Sequence, residues 1–191
     1  MKKPISILAF GGSLRRGSYN TSLLRAAAEM VPPDAILEIF GIEGIPLFNQ
    51  DLEKSPPAVV KEFKAKIKAA DAVLIVTPEY NYSIPGFLKN AIDSASRPYG
   101  DNAFDGKPVA FMGASIGMLG TARAQYHLRQ SCVWLNMYPL NSPEVMVPFA
   151  QDKFDANGKL TDSKTREKVK ELLVALVAWA GKWKNDQEGR P

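Results

Sequence analysis

Among the 191 residues there is one cysteine, Cys132, and one histidine, His127. A lone cysteine excludes an internal disulfide and a thiolate zinc cluster, so cytoplasmic residence is the expectation. A lone histidine rules out a multi-histidine metal site, and no Ser-His-Asp triad can be assembled around it. His127 is expected to be packed or solvated on its helix, and Cys132 to be a buried apolar filler. No apolar run approaches the roughly 18 residues that a membrane span takes. The opening MKKPISILAF starts basic, but its apolar stretch runs straight into GGS and two arginines. A signal peptide needs a longer apolar core and a small-residue cleavage site, so none is expected.

Two phosphate-binding signatures are also missing. There is no G-x-G-x-x-G, which disfavours a Rossmann dinucleotide site, and no G-x-x-x-x-G-K-[ST], which disfavours an ATPase or GTPase. The charge is only mildly basic, at +4. Its lysines are scattered through Lys61–Lys68 and Lys159–Lys184 among acidic residues, rather than gathered in a stripe. Solvated helix faces are the expectation there, with neither nucleic acid nor membrane as a partner. A basic balance does suit small anionic molecules.

What remains is an ordinary globular composition, 46% hydrophobic and 23% charged, of a length that predicts a single domain over residues 1–191. Apolar runs predict strands at Ile5–Phe10, Ile36–Phe40, Ala72–Thr77 and Val109–Ala114. A fifth is expected near Tyr138–Val147, broken up by Pro139 and Pro143. Helical spacing links Leu23, Leu24, Ala27 and Met30, and likewise Val59, Val60, Phe63, Ile67 and Ala70. A third helix is predicted from Pro85 to about Ala95, a fourth over Thr121–Leu135, and a last through Val169, Leu172, Leu176 and Trp183. Trp134, Trp179 and Trp183 read as core or interface anchors. This alternation predicts an α/β fold: a doubly wound, five-stranded parallel sheet with helices on both faces. Ligands in such sheets bind beyond the carboxyl ends of the strands.

The loops expected at that edge are the unusual ones. The first is GGSLRRGSYNTS from Gly11. It combines glycines, the hydroxyls of Ser13, Ser18 and Thr21, the amide of Asn20 and the bidentate cation of Arg15, ahead of a helix N-terminus. A phosphate monoester fits all of these, although Ser18 or Asn20 also suits a helix cap. The second, TPEYNYSIPGFLKNAID from Thr77, sets Tyr80 and Tyr82 around Asn81. It fits a flat heteroaromatic ring and, taken alone, equally a tight turn with two tyrosines on its rim. The third, MGASIGMLGTARAQYHLRQ from Met112, offers Ser115, Gly117 and Gly120 as an amide-rich turn, or simply a glycine turn followed by the surface cations Arg123 and Arg129.

Taken together, GSLRRGSYN at Gly12–Asn20, TPEYNYSIPGFLKNAID at Thr77–Asp93 and ARAQYHLRQ at Ala122–Gln130 resemble the NAD(P)H-dependent FMN reductase family, in particular its quinone and chromate reductase branch. The likeness is collinear from the first strand to the last helix. It implies a flavodoxin-like fold holding FMN non-covalently, with Ser13, Arg15, Ser18, Asn20 and Thr21 around the phosphate. It also implies that Pro78, Glu79, Tyr80, Asn81, Tyr82 and Ser83 line the isoalloxazine, and that Ser115 and Gly117 close its other edge. The implied reaction passes two electrons from NAD(P)H through FMN to a small-molecule acceptor such as a quinone, azo dye, chromate or free flavin. The flavin carries the chemistry, so no catalytic side chain is expected. The resemblance further implies a homodimer or homotetramer. The alternative reading is a flavodoxin-type electron carrier without NAD(P)H reductase activity, which an acidic docking face would favour and this net basic chain does not.

Overall fold

The computed structural model describes residues 3–188; the outermost residues of the expected 1–191 domain, 1–2 and 189–191, lie outside the described residues. Strands β1 (Ile5–Gly11), β2 (Ala35–Ile39), β3 (Ala72–Val76) and β4 (Pro108–Ala114) are joined through helices α1 (Tyr19–Glu29), α2 (Ala58–Ala69) and α3 (Gly86–Ala95). After β4 come α4 (Ala122–Leu135), β5 (Tyr138–Pro139), β6 (Val145–Val147) and α5 (Ser163–Glu188). All pairings are parallel, in the order β2-β1-β3-β4-β5, with β6 also on β4.

One expectation needs correction. The fifth strand is not continuous: β5 pairs with Pro108 and Val109, and β6 pairs with Met112 to Ala114 further along the same strand. The sheet is therefore six-stranded, with the fifth rank split in two. Pro139 and Pro143 carry no N–H to donate to a ladder, so the chain leaves the sheet between them and rejoins it.

Alternation along the strands builds the two sides of the core. Ile7 and Ala9 of β1, Leu74 and Val76 of β3, and Ala110 and Met112 of β4 pack with Leu23 and Ala27 of α1 and Leu172, Leu173 and Leu176 of α5. Their neighbours Leu8, Phe10, Val73, Ile75 and Phe111 face α2, α3 and α4 on the other side. There Phe63 of α2 lies edge-on to Phe10 at 5.1 Å and stacked with Phe40 at 5.0 Å. β3 is buried along its whole length, as a central strand covered on both faces must be. Cys132 is buried in the second cluster, and burial pushes its thiol up to about 12. It is apolar filling, not a nucleophile.

The register sets the functional edge. Gly11 pairs with Val76, and Val76 with Met112, so β1 and β3 end level and β4 runs on to Ala114. At the opposite end Asp71 accepts bonds from the Ser6 amide (2.9 Å) and hydroxyl (3.0 Å), and from Lys184 of α5 (2.9 Å). Among the described residues no helix is long and apolar enough to cross a membrane.

Burial alone would raise the Asp71 pKa, but the Ser6 hydrogen bonds and Lys184 outweigh it and hold the carboxyl below its usual range. A depressed carboxylate stabilises the fold above its unfolded pKa, about 3.9, and loses that effect as pH falls through the folded value. Asp71→Asn is expected to cost about 1 kcal/mol near neutrality. In urea melts the gap from wild type should close from about pH 4 downward. A gap that is unchanged at acid pH would refute the coupling.

Candidate functional site

Two glycines let the three loops meet. A Cβ on Gly12 would stand 2.9 Å from the Leu88 side chain and 3.1 Å from the Thr77 hydroxyl. One on Gly113 would stand 2.1 Å from the Thr121 hydroxyl and 2.2 Å from the Thr77 carbonyl. A side chain at Gly113 would strike the Thr77 backbone, and one at Gly12 would press on the Leu88 methyl and the Thr77 hydroxyl, so glycine at both positions lets the loops after β1, β3 and β4 pack closely. Gly12 was legible in the first loop; Gly113 sits inside β4, where only the packing reveals its importance.

In the first loop the polar residues divide between scaffold and free surface. Ser18 is the N-cap of α1, its hydroxyl accepting from the amides of Asn20 (3.2 Å) and Thr21 (3.4 Å). The Asn20 side chain is 3% exposed. It donates to the Ala114 carbonyl at 2.9 Å and accepts from the Ala114 amide at 2.8 Å, so it ties the start of α1 to the end of β4. Its side chain does not face the loop surface. Ser13 accepts from the Arg15 amide at 3.4 Å, Arg15 is exposed, and Thr21 is half-buried. Among the described residues the amides of Leu14, Arg16 and Gly17 have no protein acceptor.

The second loop is a two-residue hairpin. Tyr80 and Ser83 exchange two backbone bonds of 2.9 Å, with Asn81 and Tyr82 at φ of 49° and 67° between them. Both residues at positive φ make the turn tight and turn its amides outward. The tyrosines are exposed as expected, Tyr80 by 49% and Tyr82 by 70%, while Pro78 is buried at the strand end. The third loop is pinned by Ser115, whose amide donates to Val147 and whose carbonyl accepts from Ala150, both at 3.0 Å. The Ser115 hydroxyl accepts from Gly117 at 3.1 Å, and Ile116, Met118 and Leu119 are exposed beside it.

Sequence reading missed how the second loop is held. The Glu79 carboxylate accepts from the amides of Arg123 (3.0 Å) and Ala124 (3.3 Å) at the start of α4 and forms an ion pair with the Arg123 guanidinium. Arg123 in turn lies 3.4 Å over the Tyr82 ring centroid. The Glu79 hydrogen bond raises the Arg123 pKa above its ordinary value, so the guanidinium stays charged. Glu79 is therefore occupied as a cap and clamp, and Arg123 is no ordinary surface cation. His127, exposed on α4 as expected, adds a contact of 2.8 Å between its Nδ1 and the Ser83 hydroxyl. No local signal in the sequence joins residues 44 positions apart; only their shared edge of the sheet could have suggested it.

A parallel sheet ordered 2-1-3-4-5 defines a flavodoxin-like α/β protein, a fold in which ligands bind at the crevice where the order reverses, here between β1 and β3. The crevice combines unpaired amides, a helix N-terminus and cations with an exposed apolar and aromatic rim, which suits a phosphorylated ligand with a flat ring. The chain belongs to the NADPH-dependent FMN reductase family, whose model matches residues 5–152. It is 54% identical to an NAD(P)H-dependent FMN reductase of Pseudomonas aeruginosa, over 94% of this chain and 97% of that protein. It is 43% identical to a 2-hydroxy-1,4-benzoquinone reductase of a Burkholderia species, over 92% and 96% of the two chains. Among solved structures it resembles FerB, a flavoenzyme NAD(P)H:acceptor oxidoreductase of Paracoccus denitrificans, with a TM-score of 0.86 and 35% identity, covering 93% of this chain and 98% of that one.

The clamp on the second loop can be tested directly. Glu79→Ala leaves two α4 amides and a guanidinium without their acceptor and is expected to cost about 2 kcal/mol in urea unfolding. Glu79→Gln, which keeps an acceptor, should cost about half as much. The near-UV signal of Tyr82 should weaken in the alanine variant, and an unaltered spectrum with wild-type stability would contradict the clamp.

Proposed function

We propose that this chain is a single-domain, FMN-dependent NAD(P)H oxidoreductase that passes two electrons from the nicotinamide to a quinone or a similar acceptor. The supporting observation is the unpaired amides of Leu14, Arg16 and Gly17, and of Asn81 and Tyr82, on loops that leave the level ends of β1 and β3. The first group, with the hydroxyls of Ser13 and Thr21 and the guanidinium of Arg15, would hold the phosphate. Ser18 and Asn20 would shape that cradle, one as the helix cap and one as the tether to β4. Pro78, Tyr80, Asn81, Tyr82 and Ser83 would line the ring, and Glu79 would hold that loop in place. Ser115 and Gly117 would close the other edge.

FMN, when bound, supplies the hydride and electron chemistry. The residues bind the cofactor, orient its ring and keep one face open to nicotinamide and acceptor in turn. That chemistry asks no nucleophile of the loops, and the one thiol is buried in the core. The open tyrosine rim supports small aromatic acceptors; quinones come first, with chromate, azo dyes and free flavin as further candidates. The reduced, buried cysteine and the use of NAD(P)H support a cytoplasmic setting.

We also propose a homodimer or homotetramer. Val133 and Trp134 on α4 are 84% and 77% exposed, and Tyr99 meets Trp134 edge-on at 6.5 Å. Leu47 and Phe48 add exposed apolar surface after β2. A contiguous apolar face of this kind supports self-association.

Purified protein is expected to be yellow, to keep its flavin spectrum through gel filtration, and to oxidise NAD(P)H when a quinone is added. Arg15→Ala should weaken FMN retention about tenfold. A colourless protein that added FMN cannot reconstitute would overturn the assignment. Sedimentation should give a multiple of the chain mass, reduced to one chain by Val133→Asp with Trp134→Asp; a wild-type monomer would refute the oligomer.

A further inference from the structure

Seven arginines fall among the described residues, and four of them are engaged with the protein. Arg97 pairs with Glu53 at 2.6 Å, Arg123 with Glu79, Arg129 donates to the Leu140 carbonyl at 2.8 Å, and Arg166 donates to the Leu160 carbonyl at 3.1 Å. The other three, Arg15, Arg16 and Arg25, form no ion pair among the described residues. All three line one cleft of about 360 Å³. An unpaired guanidinium is common at a surface. It is the gathering in one concavity of three guanidinium groups with neither an ion pair nor a hydrogen bond among the described residues that calls for a ligand.

The cleft shares Ser13, Arg15 and Thr21 with the flavin phosphate cradle and reaches from there toward β2. Its floor is Leu24 of α1 and Ile39 at the end of β2. It therefore lies on the β2 side of the 12–18 loop, whereas the crevice between the first and second loops lies on the β3 side. Arg25 stands within α1, beyond the turn that offers free amides. The only acid in the lining is Glu43, whose carboxylate is folded over Gly41, 2.6 Å from where a Cβ on that glycine would lie. With Arg15 committed to the flavin phosphate, Arg16 and Arg25 against one carboxylate leave an excess of one positive charge.

These groups match one half of a dinucleotide. The exposed Ile39 suits an adenine face, a carboxylate suits a ribose hydroxyl, and arginine forks suit a phosphate dianion. In dinucleotide-binding α/β folds an arginine near the end of β2 accommodates the ribose 2′-phosphate; the likeness here is one of position only. We propose that the cleft between α1 and the end of β2 binds the adenosine 2′-phosphate half of NADPH, and that Arg16 and Arg25 thereby select NADPH over NADH. This inference rests on NAD(P)H being the electron donor.

The test is calorimetry on FMN-loaded protein with 2′,5′-ADP and with 5′-AMP, which differ only in the 2′-phosphate. Wild type should bind 2′,5′-ADP at least about tenfold more tightly. Arg16→Ala and Arg25→Ala should each remove most of that difference, and Arg25→Lys should restore part of it. In steady-state assays Arg25→Ala should raise KM for NADPH about tenfold and leave KM and kcat for NADH unchanged. Equal affinity for the two ligands would overturn the inference, as would variants that bind 2′,5′-ADP like wild type. So would 2′,5′-ADP binding that appears only in flavin-free protein, because the ligand would then occupy the FMN phosphate cradle. Failure of the underlying reductase reading looks different: no flavin retention, or no oxidation of either nicotinamide.

Discussion

Close approach of backbone to backbone at the carboxyl edge of the sheet is the constraint on which the site depends. Gly113 stands against Thr121 and the Thr77 carbonyl with no room for a Cβ, and Gly12 stands close against the Thr77 and Leu88 side chains. Because β1 and β3 end level and β4 closes beside them, the strand-to-helix loops of three neighbouring strands converge there. Their amides point outward, since the strands that end there no longer supply acceptors. Thr77, completely buried, is the common neighbour of both glycines.

Around that contact the polar side chains fall into two groups. Ser18, Asn20, Glu79 and Gln125 are spent on the scaffold: a helix cap, a tether to Ala114, a cap on α4, and bonds from Gln125 to Thr121 and Val145, both at 3.0 Å. Each fixes a loop end to an element beyond its own strand. Ser13, Thr21 and the arginines of the first loop are left for ligands. This division is physically economical, because a buried amide or carboxylate without a partner costs more than its bond contributes. Rigid loop ends then present the free amides without further ordering on binding.

Electrostatics follow the same geography. The N-terminus of α1 and the cations of the 12–18 loop make one rim of the crevice positive. The second loop meets it with aromatic surface, and Arg123 at the start of α4 is neutralised by Glu79 and covers Tyr82. A phosphate is thus drawn to one end of the crevice and a flat ring to the other. Beyond the phosphate cradle the positive surface continues toward β2, where Ile39 and Glu43 line the far end of the same cleft.

Sequence by itself determined the alternation of strands and helices, the buried character of β3, the parallel sheet and the three loops at its edge. These rest on local periodicity and on glycine, proline and capping chemistry, which act within a few residues. Even the damage done by Pro139 and Pro143 to the last strand was legible. Only the tertiary structure decided that the damaged strand returns to β4 as two pieces, that Asn20 bonds to Ala114, and that Glu79 clamps Arg123 over Tyr82. These contacts join residues 94 and 44 positions apart. Such partners are chosen by the register of the sheet and the packing of its helices, and no spacing in the chain encodes them.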